Sequence, residues 1–245
     1  MTGLFLPGVA EQHVLHRLAL AGGNEVGSGK LASPESSAAL AVNTFGWFID
    51  RPQLLPPFKG ADSSTPVHVD VEYCARFPWN GGRHPWLDAA VETATSLIGI
   101  ESKRFEPFRD AKKVSLSAAY DRPVWGERMG AFEALRDRLR DGRERFDHLD
   151  ATQLVKHAFG LVSDARRKDK LPCLVYLYAE PAERAGRMID AKNFALHRGE
   201  IDRFAEAIAG SEVAFVAVSY REWLATWRGP EVEEHARNII DYFAP

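Results

Sequence analysis

The chain of 245 residues is 45% apolar and 27% charged, long enough to bury a substantial core in one large domain or two small ones, and its 14 Phe, 6 Trp and 6 Tyr exclude general disorder. Its net charge of −3 divides into −3 over residues 1–100, +4 over 101–170 and −4 over 171–245, so the middle third is the basic one. No apolar run approaches the roughly 20 residues that would span a bilayer, and the opening residues lack the basic flank of a signal peptide. Cys74 and Cys173 are isolated in apolar stretches and read as buried reduced thiols with no zinc cluster, which fits a cytoplasmic location.

Along the chain, an N-terminal helix carries His13 and His16 as ordinary helix-face residues. Gly27-Ser28-Gly29-Lys30 imitates a phosphate loop, but Asn24 and Leu31 stand where the Walker pattern needs Gly and Ser or Thr. Ser33-Pro34 resembles an N-cap followed by proline in the first helical position, and apolar residues then predict a helix to about residue 48. Val67, Val69, Val71 and Tyr73 alternate with His68, Asp70 and Glu72 as in a strand with one polar face. Strands over 86–92 and 97–103 follow, separated by so short a link that they form a hairpin. Helices are predicted near 127–140 and 151–165, the second capped by Asp150. A buried strand at 174–178, a helix over 191–208, a strand at 213–218 and a final helix over 231–243 complete the order. No linker divides the chain, so the expected fold is one α/β domain over residues 1–245, a mixed central sheet flanked by helices.

The chemistry concentrates in the hairpin. A turn centred between Ala94 and Thr95 sets Asp88 opposite Glu101, with Cβ atoms roughly 4.5–5.5 Å apart, and Lys103 on the same face. Two carboxylates facing each other on apolar strands repel and resist desolvation. Protonation of one, a protein cation or a bound divalent metal would relieve this, and a metal beside Lys103 suits hydrolysis of a phosphodiester. Arg136, Arg138, Arg140, Arg143 and Arg145, interleaved with Glu133, Asp137, Asp141 and Glu144, form either a solvated helix face or a surface for a polyanion.

Asp88 and Glu101-Ser102-Lys103, in the order helix, three strands, helix, strand, resemble the PD-(D/E)xK nucleases with the restriction-endonuclease-like fold. Pro85 stands three residues before Asp88 rather than next to it, a departure from the family's pattern. Ile98 to Phe108, Ser33 to Ser37 and Gln153 to His157 are also similar to a bacterial group of restriction endonucleases without an established substrate. The resemblance covers roughly residues 33–180, leaving an added C-terminal helix-strand-helix. It implies a Mg²⁺-dependent DNA endonuclease, with Mn²⁺ as a substitute, that leaves a 5′ phosphate and acts on duplex DNA, often as a homodimer. Asp88, Glu101 and the Ser102 carbonyl would then bind the metal, with Glu35 assisting directly or through water. Lys103 would position or deprotonate the attacking water. Gln153 and Lys156 share a helix face near the scissile phosphate, whereas His157 turns toward the apolar edge, and Glu72 borders the site. The segment 128–145 would contact phosphates. A catalytically inactive nuclease-fold protein that binds nucleic acid or a protein partner is the alternative, and a third is an enzyme acting on a nucleotide or RNA.

Overall fold

The computed structural model describes residues 3–21, 27, 29–33 and 35–245. The helix α1 (Glu11–Leu20) and the helix α2 (Ser37–Phe45) precede a three-strand meander of β1 (His68–Cys74), β2 (Trp86–Glu92) and β3 (Ser96–Lys103). The short α3 (Glu106–Arg109), then α4 (Gly130–Arg140) and α5 (Ala151–Arg167), lead to β4 (Leu171–Tyr178). A two-stranded ribbon, β5 (Glu183–Arg184) and β6 (Arg187–Met188), precedes α6 (Ala191–Ala207), β7 (Ala214–Ser219), α7 (Tyr220–Leu224) and α8 (Pro230–Phe243).

The main sheet runs β1-β2-β3-β4-β7, antiparallel across the first three strands and parallel from β3 to β4 and β7. This is the mixed, helix-flanked α/β architecture of a restriction-endonuclease-like core. The turn between β2 and β3 lacks Asn-Gly, and Thr93 does its work: its Oγ1 accepts from the Thr95 and Ser96 amides at 3.1 and 2.8 Å and donates to Asp62 at 2.7 Å. The register follows, with Glu92 on Leu97, Val91 on Ile98, Ala90 on Gly99 and Ala89 on Ile100.

Each face of the sheet builds its own core. One holds Val69, Val71, Ala89, Ile98, Ile100 and Val175 against α2 and the C-terminal helices, with Phe45, Trp223 and Trp227. The other holds Tyr73, Leu87, Ala90, Leu97, Leu174 and Tyr176 against α4, α5 and α6. Gly99 is needed where β3 meets α5, because a Cβ there would lie 2.6 Å from Leu87 and 3.2 Å from Leu161.

The helix α2 starts later than expected because Ser36, not Ser33, caps it by accepting from the Ala39 amide at 3.0 Å, and it ends at Phe45, with Gly46 as its C-cap, short of residue 48. Pro34, with Asn24 and Ser28, lies outside the described residues. The helix α5 keeps its predicted cap, Asp150 accepting from the Gln153 amide at 2.9 Å. His13 is exposed and meets Asp70 at 3.0 Å, an ordinary helix-face contact. Both cysteines are free thiols, Cys173 buried and Cys74 half-buried. No described helix is long and apolar enough to cross a membrane.

Candidate active site

The site begins with an irregularity in β1. Val71 pairs with Ala89 and Tyr73 with Leu87, yet these two pairs lie on opposite faces of the sheet, so the alternation breaks between them at Glu72 and Asp88. Glu72 adopts φ 48°, a left-handed conformation that is uncommon for a residue with a Cβ. Arg17 holds it there, its Nε donating to the Val71 carbonyl at 3.1 Å and its Nη2 to the Glu72 carbonyl at 2.8 Å. The kink reorients Asp88, which stands opposite Glu72 and lines a cleft of about 540 Å³. Glu35, Glu72, Glu106 and Arg109 line the same cleft, and Trp86 forms its wall.

The neighbouring strand supplies the other half. Glu101 is 2% exposed. Its Oε1 forms an ion pair with Lys103 Nζ, and its Oε2 lies 3.1 Å from His157 Nδ1. The Ser102 amide between them donates to Asp88 Oδ2 at 2.6 Å, tying the two strands together at the end of the ladder. Beneath, Ser102 Oγ and the Tyr220 hydroxyl are hydrogen-bonded at 2.7 Å in a fully buried position. The structure therefore brings Asp88, Glu101, Ser102 and Lys103 together at one end of β2 and β3. The Asp88 side chain opens toward the α2 side while Glu101 meets α5, so the acids approach each other across the kink instead of side by side on one flat face.

Electrostatics divides the two acids. Burial pushes the Asp88 carboxyl well above its usual range, and the Glu101 charge pushes it further, with Lys103 only partly opposing. Burial would raise Glu101 as well, but Lys103 and His157 outweigh it and hold its carboxyl at about 2. Burial alone would pull Lys103 down; the charges of Glu101 and Asp88 reverse this and raise it, so the ammonium keeps its proton at neutral pH.

A second cleft, of about 360 Å³, adjoins the first through Trp86 and is lined by Gln153, Lys156 and His157 of α5 with Arg83 and Lys113. Gln153 and Lys156 thus reach the neighbourhood of the acid pair. Burial lowers the Lys156 ammonium, with Asp150 opposing. His157 departs from the apolar-edge expectation. It is buried, as its apolar neighbours on α5 suggest, but it faces Glu101. The periodicity gave the face of the helix and not what the facing strand places there.

Glu35 shares the cleft of Asp88, but its carboxylate is held by Arg184 at 2.9 Å and Arg109 at 3.2 Å. The Arg184 hydrogen bond is the main reason that its carboxyl lies below the usual range. Glu106, which the sequence reading passed over, accepts from Ser37 Oγ at 2.6 Å and the Arg104 amide at 2.9 Å and so joins α2 to the end of β3. Its position three residues after Lys103 is a signal that could have drawn attention to it. The basic segment 128–145 presents few unpaired arginines: Arg136 and Arg140 reach Asp121, Arg143 reaches Asp141 and Arg145 reaches Asp147. Arg138 lies 3.9 Å from Glu144. Most of its arginines are thus paired with nearby acids, as a solvated helix face would have them.

Among the described residues no three His, Cys, Asp or Glu side chains form a ready-made metal cage. The donor set nevertheless fits a hard divalent cation. Two adjacent carboxylates whose joint ionisation is unfavourable suit a cation that fills its remaining positions with a main-chain carbonyl, water and phosphate, as Mg²⁺ does.

The model of one family, described as Restriction Endonuclease associating with ARP, matches residues 11–237. No curated protein and no solved structure matches the chain. The family match takes in every element from α1 to most of α8, and with it Asp88, Glu101, Lys103 and both clefts. The chain belongs to the restriction endonuclease family REase-ARP.

Proposed function

We propose that this protein is a Mg²⁺-dependent endonuclease that hydrolyses phosphodiester bonds in duplex DNA in a restriction or defence role, with Mn²⁺ able to replace Mg²⁺. The observation that carries the reading is the paired Glu101 and Lys103 beside an Asp88 whose ionisation the protein disfavours. Asp88, Glu101 and the Ser102 carbonyl would hold the cation, and Glu35, on the same cleft, would reach it through water. A cation bound there supplies Lewis-acid polarisation of the phosphate and lowers the pKa of coordinated water.

The chain's own groups supply the rest. Lys103, paired with Glu101, would orient the attacking water or take its proton and offset charge that develops on the phosphate. His157 lies against Glu101 from the α5 side and would help to position it. Gln153 and Lys156 contact the phosphates that flank the scissile bond from the second cleft. On this reading residues 1–245 are one nuclease domain with its core at about 33–180, active in the cytoplasm. Two copies would cut the two strands.

Calorimetric titration of Mg²⁺ and Mn²⁺ into the parent chain, Asp88→Ala and Glu101→Ala tests the site. Binding to the parent that is lost in both folded variants is expected. A parent that takes up no metal, alone or with duplex DNA bound, would remove the catalytic reading and favour a nucleic-acid-binding protein without nuclease activity.

A further inference from the structure

The ribbon β5–β6 is too short to belong to a core, and its sequence Glu183-Arg184-Ala185-Gly186-Arg187-Met188 has no apolar face to bury. What it does have is a defined shape and position. Glu183 pairs with Met188 and Arg184 with Arg187. The two-residue turn places both Ala185 (φ 50°) and Gly186 (φ 74°) in the left-handed region, as a tight hairpin requires. The ribbon leaves the end of β4 at which Tyr178 pairs with Lys103, so it springs from the edge of the sheet that carries the catalytic lysine.

Cross-strand partners share a face. Arg184 and Arg187 are therefore on one side of the ribbon, and Glu183 and Met188 on the other. The arginine side faces the carboxylate cleft, because Arg184 Nε donates to Glu35 Oε1 at 2.9 Å. Arg187 is exposed, and its side chain has no ion pair or hydrogen bond among the described residues. Met188, on the opposite side, is 75% exposed.

A polyanion approaching a cleft lined by Glu35, Glu72, Asp88 and Glu106 meets repulsion unless cations flank the entrance. Of the cleft's lining residues, Arg109 is already engaged by Glu35 and Asp110, and none comes from 128–145. We infer that the ribbon is a phosphate clamp, with Arg184 and Arg187 gripping the DNA backbone as it enters the carboxylate cleft. Arg184 is latched on Glu35 when DNA is absent and exchanges that carboxylate for a phosphate when DNA binds. This rests on the reading of the protein as a DNA nuclease and adds the element that engages the substrate.

Binding is measured apart from cleavage, in the Asp88→Ala background with chelator present, by anisotropy of a short fluorescent duplex over a range of salt. Arg187→Glu is expected to weaken binding about tenfold or more and to reduce the slope of log affinity against log salt by about 1. Arg187 touches nothing that the fold depends on, so this variant keeps its melting profile. Glu183→Gln and Met188→Ala, on the far side, are expected to leave affinity and slope unchanged. If the parent background binds DNA and Arg187→Glu binds it equally with the same salt slope, the clamp is wrong and the nuclease reading stands. Equal weakening by the Met188→Ala variant would also overturn it, since the ribbon would then be using its other side. A parent background with no affinity for duplex DNA would overturn the clamp together with the reading beneath it.

Discussion

Replacing Asp88 by Asn is predicted to make the metal-free protein more stable while abolishing its use of metal. The Asn carbonyl oxygen can still accept from the Ser102 amide, which Asp88 Oδ2 does at 2.6 Å, so the link between β2 and β3 survives. What disappears is a charge that burial and Glu101 both oppose and that Lys103 only partly compensates. A like charge within the roughly 4–6 Å over which such pairs act repels by about 3–4 kcal/mol at an effective dielectric constant of about 20. Partial cancellation by Lys103, and solvent entering the cleft, leave about 1–2 kcal/mol, or roughly 2–8 °C in melting temperature for a chain of this length. The gain depends on pH. A carboxyl whose folded-state pKa is raised binds more protons folded than unfolded, so the parent loses stability as pH rises from the ordinary Asp range through the raised value. The variant lacks that slope, and the gap between them widens across this window and then levels off. Thermal melts with chelator over this pH range measure it, and the same melts with Mg²⁺ add the second half. Saturating metal at about a hundred times its dissociation constant stabilises the parent by about 2.7 kcal/mol and leaves the variant unchanged. A variant that melts below its parent in chelator at alkaline pH would refute the reasoning, because Asp88 would then be a stabilising anion.

Lys103→Met breaks the buried pair with Glu101 and should cost about 3–5 kcal/mol; Lys103→Met with Glu101→Gln should recover most of it, and a change below about 1 kcal/mol in urea unfolding would contradict the pair's burial. Gly160→Ala should destabilise by about 1–3 kcal/mol, because its Cβ would sit 2.7 Å from the Ala75 carbonyl oxygen and 2.5 Å from Pro85 Cγ; an unchanged melting temperature would mean that α5 does not pack closely on the residues that follow β1 and precede β2. Tyr220→Phe removes the 2.7 Å contact with Ser102 Oγ and should cost about 1–3 kcal/mol by leaving a buried hydroxyl unpaired, again read from urea unfolding. The Cys173 thiol, pushed up to about 12 by burial, should resist a thiol reagent until the protein unfolds, and rapid labelling in the native state would place β4 nearer the surface than it is.

The hairpin was legible because its information is local. The period of two, the length of the link and the apolar flanks fix which residues face one another, and the predicted pairing holds from Glu92 with Leu97 to Ala89 with Ile100. It fails as a guide at Asp88, and the reason is not local. Glu72 takes a left-handed conformation because Arg17, on a helix more than fifty residues earlier, holds its carbonyl, and the kink turns Asp88 toward α2. His157 shows the same limit. The pattern Leu154, Ala158 and Leu161 marks a buried face, but only the packing of α5 across β3 makes Glu101 its neighbour. Glu35 and its two arginines are 74 and 149 residues apart in sequence, and no spacing rule joins them. The arginines of 128–145, by contrast, have partners close by in sequence: Arg136, Arg138 and Arg143 meet the interleaved Asp137, Glu144 and Asp141, while Arg140 and Arg145 use the flanking Asp121 and Asp147.

The central claim is that Asp88, Glu101 and Lys103 form one hydrolytic site for DNA. Incubation of duplex DNA with the parent, Asp88→Ala, Glu101→Ala and Lys103→Ala, with Mg²⁺, with Mn²⁺ and with chelator, and analysis of the ends produced, tests it most directly. The account predicts metal-dependent cleavage that leaves 5′ phosphates, lost in all three variants. Cleavage by the parent that persists undiminished in folded Asp88→Ala and Glu101→Ala would contradict it.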